Sequence, residues 1–279
     1  MYPGGTRALG GVDFSIERGE GVVLLGHNGS GKSTLLRCLN GLERTTEGSI
    51  RFDGLDITTA NKPTLRAVRR RIGVIFQKFN LVRNLSAFQN VLFGALGEVG
   101  FLHSLHPLAK RALRAKAMAC LERVGLGGKA MQRADSLSGG QQQRVAIARA
   151  LMQDPEVLLA DEPIASLDPK AARQVMELLW EVGKERHFTV VCALHQLDAA
   201  LEFGERLIGL KEGRKVLDAP CAGLSRADLA WLYDGVAEAP GEEDDALAPA
   251  FESKPGGAAR NDRSPRPKAA RNPFEADQD

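Results

Sequence analysis

Val22-Val23-Leu24-Leu25-Gly26-His27-Asn28-Gly29-Ser30-Gly31-Lys32-Ser33 is the stretch that decides the architecture. Its four leading apolar residues read as a short strand buried on both faces. Gly26–Ser33 then matches the pattern G-x-x-x-x-G-K-[ST], and Ser33–Asn40 reads as the helix that follows. A glycine-rich loop in this position gathers backbone N–H groups into one concavity, and the helix start adds its positive end. Such a cradle suits a polyphosphate. Lys32 supplies a point charge for the β- and γ-phosphates, and Ser33 offers a hydroxyl to Mg²⁺. Gly26, His27, Asn28, Gly29, Ser30, Gly31 and Thr34 complete the expected nucleotide-binding set.

Outward from this loop the chain alternates strand-like and helix-like segments, an α/β pattern. Ile72–Phe76, Val157–Ala160 and Thr189–Leu194 read as further strands. Leu207–Leu210 and Lys215–Leu217, joined through Glu212-Gly213, read as a hairpin. The middle of the chain is different. Ser86–Leu96, Leu108–Val124 and Gly139–Met152 have helical character, so a helical unit over roughly 86–149 is expected to interrupt the α/β core. Composition shifts near residue 235. Residues 1–235 read as the folded part. Residues 236–279 are rich in Pro, Ala, Gly and charge, hold only Phe251 and Phe274 as aromatics, and read as a disordered tail.

The bulk numbers exclude several classes. A chain of 279 residues with 43% apolar and 26% charged residues has an ordinary globular composition. The net charge of +2 is too small to point to nucleic acid or an anionic membrane surface. Cys38, Cys120, Cys192 and Cys221 form no CxxC pair, which fits reduced thiols rather than zinc or disulfides. No apolar run approaches the ~20 residues that span a bilayer, and the N-terminus has no signal-peptide pattern. Work at a membrane would therefore need docking on another chain. Arg66–Arg71 is a basic run with no aromatic companions; it reads as a solvated face, and no nucleic-acid partner is expected.

Two further motifs narrow the chemistry. Val157–Ala160 runs into Asp161-Glu162-Pro163. Asp161 at the strand end is placed to hold Mg²⁺, directly or through water. Glu162 is placed to orient and deprotonate an attacking water. The third motif is Leu137-Ser138-Gly139-Gly140-Gln141-Gln142-Gln143-Arg144. Ser138, Gly139, Gly140 and Gln141 open a helix, so they form a second phosphate-binding helix start. Ser138 also suits a plain N-cap. One ATP already has its glycine loop, so a second such site points to two chains sharing each nucleotide.

That third motif resembles the signature sequence of ABC ATPases, and the resemblance covers roughly Tyr2–Tyr233. It implies a P-loop NTPase fold of the ABC ATPase type: a RecA-like core, an antiparallel β-subdomain and an inserted helical subdomain. It implies ATP and Mg²⁺ as cofactors. Gln77 resembles the glutamine that senses Mg²⁺ and water and faces the membrane subunit. Ser166-Leu167-Asp168 resembles the loop at the dimer seam, placing Asp168 among the nucleotide contacts. His195 resembles the switch histidine at the γ-phosphate, and Tyr2 the aromatic stacked on adenine. Lys32, Gln77, Glu162 and His195 are thus the expected catalytic set, and Ser33, Gln77 and Asp161 the expected metal set. Family members carry a strand before the aromatic, whereas here one residue precedes Tyr2. Extending the chain upstream, if those codons read as a strand, is expected to raise thermal stability.

A single stand-alone cassette resembles bacterial importer ATPases. The finer segments Tyr2–Leu9, Arg37–Leu42, Phe76–Val82, Gln132–Asp135 and Asp161–Pro169 resemble the phosphonate-importer subgroup. His27 departs from the usual residue at its position, on the solvent side of the loop. The implied partners are a second copy of the chain, membrane permease subunits and, indirectly, a periplasmic or extracellular solute-binding protein. The implied location is peripheral, on the cytoplasmic face of the inner membrane. Phosphite or another phosphorus oxyanion is the neighbouring expectation for the cargo. The rival class is a soluble ABC ATPase in regulation or nucleic-acid processing.

Overall fold

The computed structural model describes residues 7–104 and 108–233. Tyr2 and the segment 236–279 lie outside the described residues.

Six strands form one sheet in the order β4-β5-β6-β1-β7-β8. They are β1 (Gly21–Leu25), β4 (Ile72–Ile75), β5 (Val157–Asp161), β6 (Thr189–Leu194), β7 (Arg206–Lys211) and β8 (Arg214–Pro220). The first five run parallel, and β8 returns antiparallel to β7 through the expected hairpin. Both faces of the sheet are covered, as parallel sheets require. Val23 and Leu25 enter one apolar cluster with the helices α7 (Pro169–Arg186) and α8 (Leu197–Phe203). Val22 and Leu24 enter the other, with Leu35 and Leu36 of α1 (Lys32–Leu39). The strand period of two thus feeds two separate cores.

The antiparallel part is small among the described residues. β2 (Arg51–Phe52) and β3 (Leu55–Asp56) form a two-strand ladder. Residues 11–16 run alongside without joining a ladder, yet Val12, Phe14 and Ile16 alternate toward the second core. Together with Leu35, Ile50, Phe52 and Val191 they line a cavity of about 690 Å³.

The basic run is less solvated than its charge implies. It ends α2 (Lys62–Arg70), and Val68 is buried. Arg69 donates to the carbonyls of Asn40 and Gly41 at 3.0 and 2.5 Å. Arg71 donates from Nε to Glu156 at 2.6 Å and also pairs with Asp53. Two of its arginines therefore tie the β2–β3 ladder and the loop after α1 to the sheet.

In the middle of the chain, α3 (Ala87–Leu92), α5 (Arg111–Arg123) and α6 (Gly139–Leu151) pack on one another. The expected helix over Ser86–Leu96 is not continuous. The first helix stops at Leu92, passes through a 3₁₀ turn at Phe93–Ala95, and resumes as α4 (Leu96–Ser104), itself broken at Gly100 with φ 77°. At Gly94 a Cβ would lie 2.2 Å from the carbonyl oxygen of Arg149, so only glycine allows this close approach to α6.

Candidate functional site

β4, β5, β6 and β1 are consecutive neighbours in one parallel ladder. Gln77, the pair Asp161-Glu162, His195 and the Gly26–Ser33 loop therefore all leave the sheet along its C-terminal edge, where open α/β sheets hold ligands.

The loop depends on glycine at two points. A Cβ on Gly26 would lie 2.3 Å from the Leu210 carbonyl oxygen. Gly31 has φ 104°, and a Cβ there would sit 2.8 Å from the Ala8 carbonyl oxygen. Gly31 is also the N-cap of α1 and brings no side-chain cap, whereas Asn61, Ser86, Ser138 and Asp168 cap their helices with side-chain oxygens. The first N–H groups of α1 therefore keep their capacity for an anion. Ser30 Oγ is buried beside them with no hydrogen-bond partner among the described residues. His27 and Asn28 lie on the outer rim, the ring Nδ1 of His27 being 2.5 Å from the Asn28 carbonyl oxygen.

Lys32 is only 3% exposed. Its ammonium donates to the carbonyls of Gly26 at 2.7 Å and His27 at 3.1 Å, and lies 3.4 Å from Glu162 Oε1. Burial lowers its pKa, and Glu162 opposes that shift. Ser33 Oγ donates to Asp161 Oδ1 at 2.7 Å. Burial raises the Asp161 carboxyl above its ordinary range. A hydroxyl and a carboxylate oxygen held this close offer the hard donors that Mg²⁺ takes, so these residues fit the metal.

Glu162 is the centre of the arrangement. It sits in the left-handed region at φ 46°, with its N–H donated to the Ala193 carbonyl at 3.1 Å. A non-glycine residue in that region costs backbone strain, which the neighbouring ladder sustains. Its Oε2 accepts from Gln77 Nε2 at 3.3 Å and lies 3.7 Å from His195 Nδ1. The His195 ring, then Lys32, hold the Glu162 carboxyl below the usual range against its burial. Three residues from three elements thus converge on one carboxylate kept ready to accept a proton.

Ser138–Gln141 and Asp168 form a second group. Ser138 Oγ accepts from the Gln141 N–H at 3.4 Å, and Gln141 Oε1 accepts from the Ser138 N–H at 3.2 Å, a capping box. Ser138 is exposed, and the two glycines face the start of α7: a Cβ on Gly139 would meet Leu167 at 3.3 Å and one on Gly140 would meet Ala171 at 2.9 Å. Asp168 caps α7 by accepting from the Ala171 N–H at 2.9 Å.

Two residues in this setting escaped the motif reading. The Tyr233 hydroxyl donates to the His195 carbonyl at 2.6 Å and so pins the histidine's backbone. Its one sequence signal is that it is the last aromatic before the composition shift. Arg149 on α6 donates to the Phe79 and Asn80 carbonyls, next to Gln77.

Fold and site together define a nucleotide-binding cassette of the P-loop class. The family model described as ABC transporter matches residues 9–165, over half of the chain. The chain belongs to the ABC transporter family, among its ATP-hydrolysing subunits. It is 54% identical to the phosphate-import ATP-binding protein PhnC of Mycolicibacterium smegmatis over 84% of this chain and 89% of that one. It is 53% identical to the phosphonates import ATP-binding protein PhnC of Nocardia farcinica over 82% and 86%. Among solved structures, a dimeric ATP-binding cassette in a post-hydrolysis state bound to ADP and Pi superposes with a TM-score of 0.70 at 37% identity, covering 80% of this chain and 96% of that chain.

Proposed function

We propose that two copies of this chain bind and hydrolyse ATP to drive a bacterial importer for phosphonates. The observation that carries the hydrolytic part is the convergence of Lys32, Gln77 and His195 on Glu162, beside the Ser33–Asp161 oxygen pair. In this reading the Gly26–Ser33 loop and Thr34 hold the triphosphate, and Tyr2 stacks on the adenine. Ser33, Asp161 and Gln77 hold Mg²⁺, which would neutralise phosphate charge. Glu162 accepts the proton of the attacking water, a role typically contributing ~10²–10⁴-fold. Gln77 and His195 orient that carboxylate and the phosphate. Ser138–Gln141 and Asp168 of each copy face the nucleotide held by the other.

Membrane coupling falls to the loop after Gln77 and to the helical unit over about 86–149. Support comes from Phe101 and Leu102 on α4, which are 59% and 62% exposed, in a chain whose described residues include no helix able to cross a membrane. The chain would then sit on the cytoplasmic face of the inner membrane, docked on permease subunits, with a solute-binding protein acting through them.

Phosphate is the second reading for the cargo, favoured by the name of the mycobacterial relative. Both readings meet one assay: ATPase activity with permease and solute-binding protein loaded with a phosphonate, with phosphite or with phosphate. Stimulation by the phosphonate-loaded protein supports the first reading. Stimulation by phosphate alone replaces it, and stimulation by nucleic acid without permease removes transport altogether.

A further inference from the structure

The loop that carries Gln77 is gripped by α6. Arg149, in the last turn of that helix, donates from Nη1 to the Asn80 carbonyl at 2.5 Å and from Nη2 to the Phe79 carbonyl at 3.0 Å. Among the described residues no carboxylate pairs with this guanidinium, and both of its hydrogen bonds go to main-chain carbonyls. A guanidinium is suited to this task because its planar fork reaches two acceptors at once, which a lysine ammonium matches poorly. Asn80 accepts in the left-handed region at φ 50°, so the loop is bent to present consecutive carbonyls. The other end of α6 lies near the same loop: a Cβ on Gly139 would lie 3.8 Å from the Phe79 ring. Gly139 and Arg149 are ten residues apart, roughly 15 Å along a helix. One helix therefore grips Phe79-Asn80 from its last turn and begins near the Phe79 ring, and Gly94 permits the close approach to the Arg149 carbonyl.

We infer that Arg149 is a positioning residue that makes the Gln77 loop move as one body with α6. The inference rests on the role proposed above for Gln77. Whatever displaces α6 then displaces Gln77 relative to Glu162, now 3.3 Å away. The same displacement moves Ser138–Gln141, because they open the same helix. Arg149 would thus tie the catalytic glutamine of one nucleotide site to the helix start serving the other.

The test uses the full chain carrying Arg149→Lys, with Arg149→Gln as the second variant. Hydrogen exchange on the isolated subunit is expected to speed up by about tenfold or more within 78–82 at the Val82 amide, which donates to Asn90 Oδ1 at 2.8 Å and closes this loop. The amides of α6 stay as protected as before. In the assembled transporter, the stimulated kcat is expected to fall about tenfold while KM for ATP stays within about twofold. Unchanged exchange at 78–82 overturns the inference. So does a parallel loss of α6 protection, KM and kcat, which marks general loosening. If wild type is stimulated by no permease, the proposed function fails, and the exchange result alone decides the role of Arg149.

Discussion

Glu162 shows how much one residue can be asked to do. It occupies a left-handed backbone position, and its carboxylate faces a lysine, a glutamine and a histidine. Its neighbours keep it ionised at neutral pH, which a base needs and a buried lone carboxylate would not manage. Glu162→Gln keeps the shape and most hydrogen bonds but cannot take a proton. It is expected to bind ATP with near-normal affinity, to lose about 10²–10⁴-fold in turnover, and to accumulate as a dimer on gel filtration with ATP. Near-normal turnover would remove Glu162 from the role. The motif itself was readable from Asp161-Glu162 at the end of an apolar run, because acids at a strand end beside a glycine loop have few other uses. The partners of Arg71 were not readable: Glu156 is 85 positions away, and nothing local in a basic run announces it.

At the scale of elements, the β7–β8 hairpin shows electrostatics fastening an edge. Arg206 on β7 donates to Asp218 of β8 at 2.7 Å, and reaches Glu20 and the Ser15 carbonyl at 3.2 and 2.8 Å. It therefore tethers the extended 11–16 segment, which has no ladder of its own. Arg206 and Lys215 depress the Asp218 pKa to about 2. A depressed carboxylate stabilises the fold above its unfolded value of about 3.9, and that contribution disappears as pH falls through about 2. Asp218→Asn should then lower stability at pH 6 by on the order of 1–2 kcal/mol after discounting for solvent screening, read as a fall in Tm. The gap between variant and wild type should close by pH 2. An equal gap at both pH values would assign the effect to packing. Strands and hairpin were legible because their apolar runs are short and bounded by turn residues. The breaks at Gly94 and Gly100 were not, since one follows from contact with α6 and the other interrupts an otherwise helical composition.

At the scale of the molecule, the residues proposed to meet the nucleotide divide, among those described, into two groups on different elements. The loop, Asp161, Glu162 and His195 crown the sheet, while Ser138–Gln141 opens α6 beside α7. If each ATP draws one group from each copy, a Lys32→Met chain and a Ser138→Arg chain should each be nearly inactive alone. Mixed dimers then hold one intact composite site and one doubly damaged site, so mixing should restore part of the ATPase activity. No recovery on mixing, with mixed dimers present, would mean that each chain works by itself. The division was foreseeable from the sequence, because a second helix start with phosphate-binding chemistry had no use at a site already furnished. The hold of α6 on Phe79-Asn80 through Arg149 was not, because it uses main-chain carbonyls that no motif records.

The parallel ladder also sets what genetic change this protein can absorb. Asp161 is paired in register with Ala193, and successive residues of β5 face opposite sides of the sheet. Loss of a single codon within Leu158–Ala160 would shift the acidic pair by one place, putting Glu162 at the place of Asp161 and Asp161 at the buried place of Ala160. No side-chain repacking could recover that. A codon lost at Gly128, where a Cβ would meet nothing within 4 Å, disturbs the short 3₁₀ turn Gly127–Lys129 between α5 and α6 but leaves the strand register untouched. In-frame deletions should therefore survive in the turns of the helical region and vanish from the strands, even where the deleted residue is a plain leucine with no chemistry of its own.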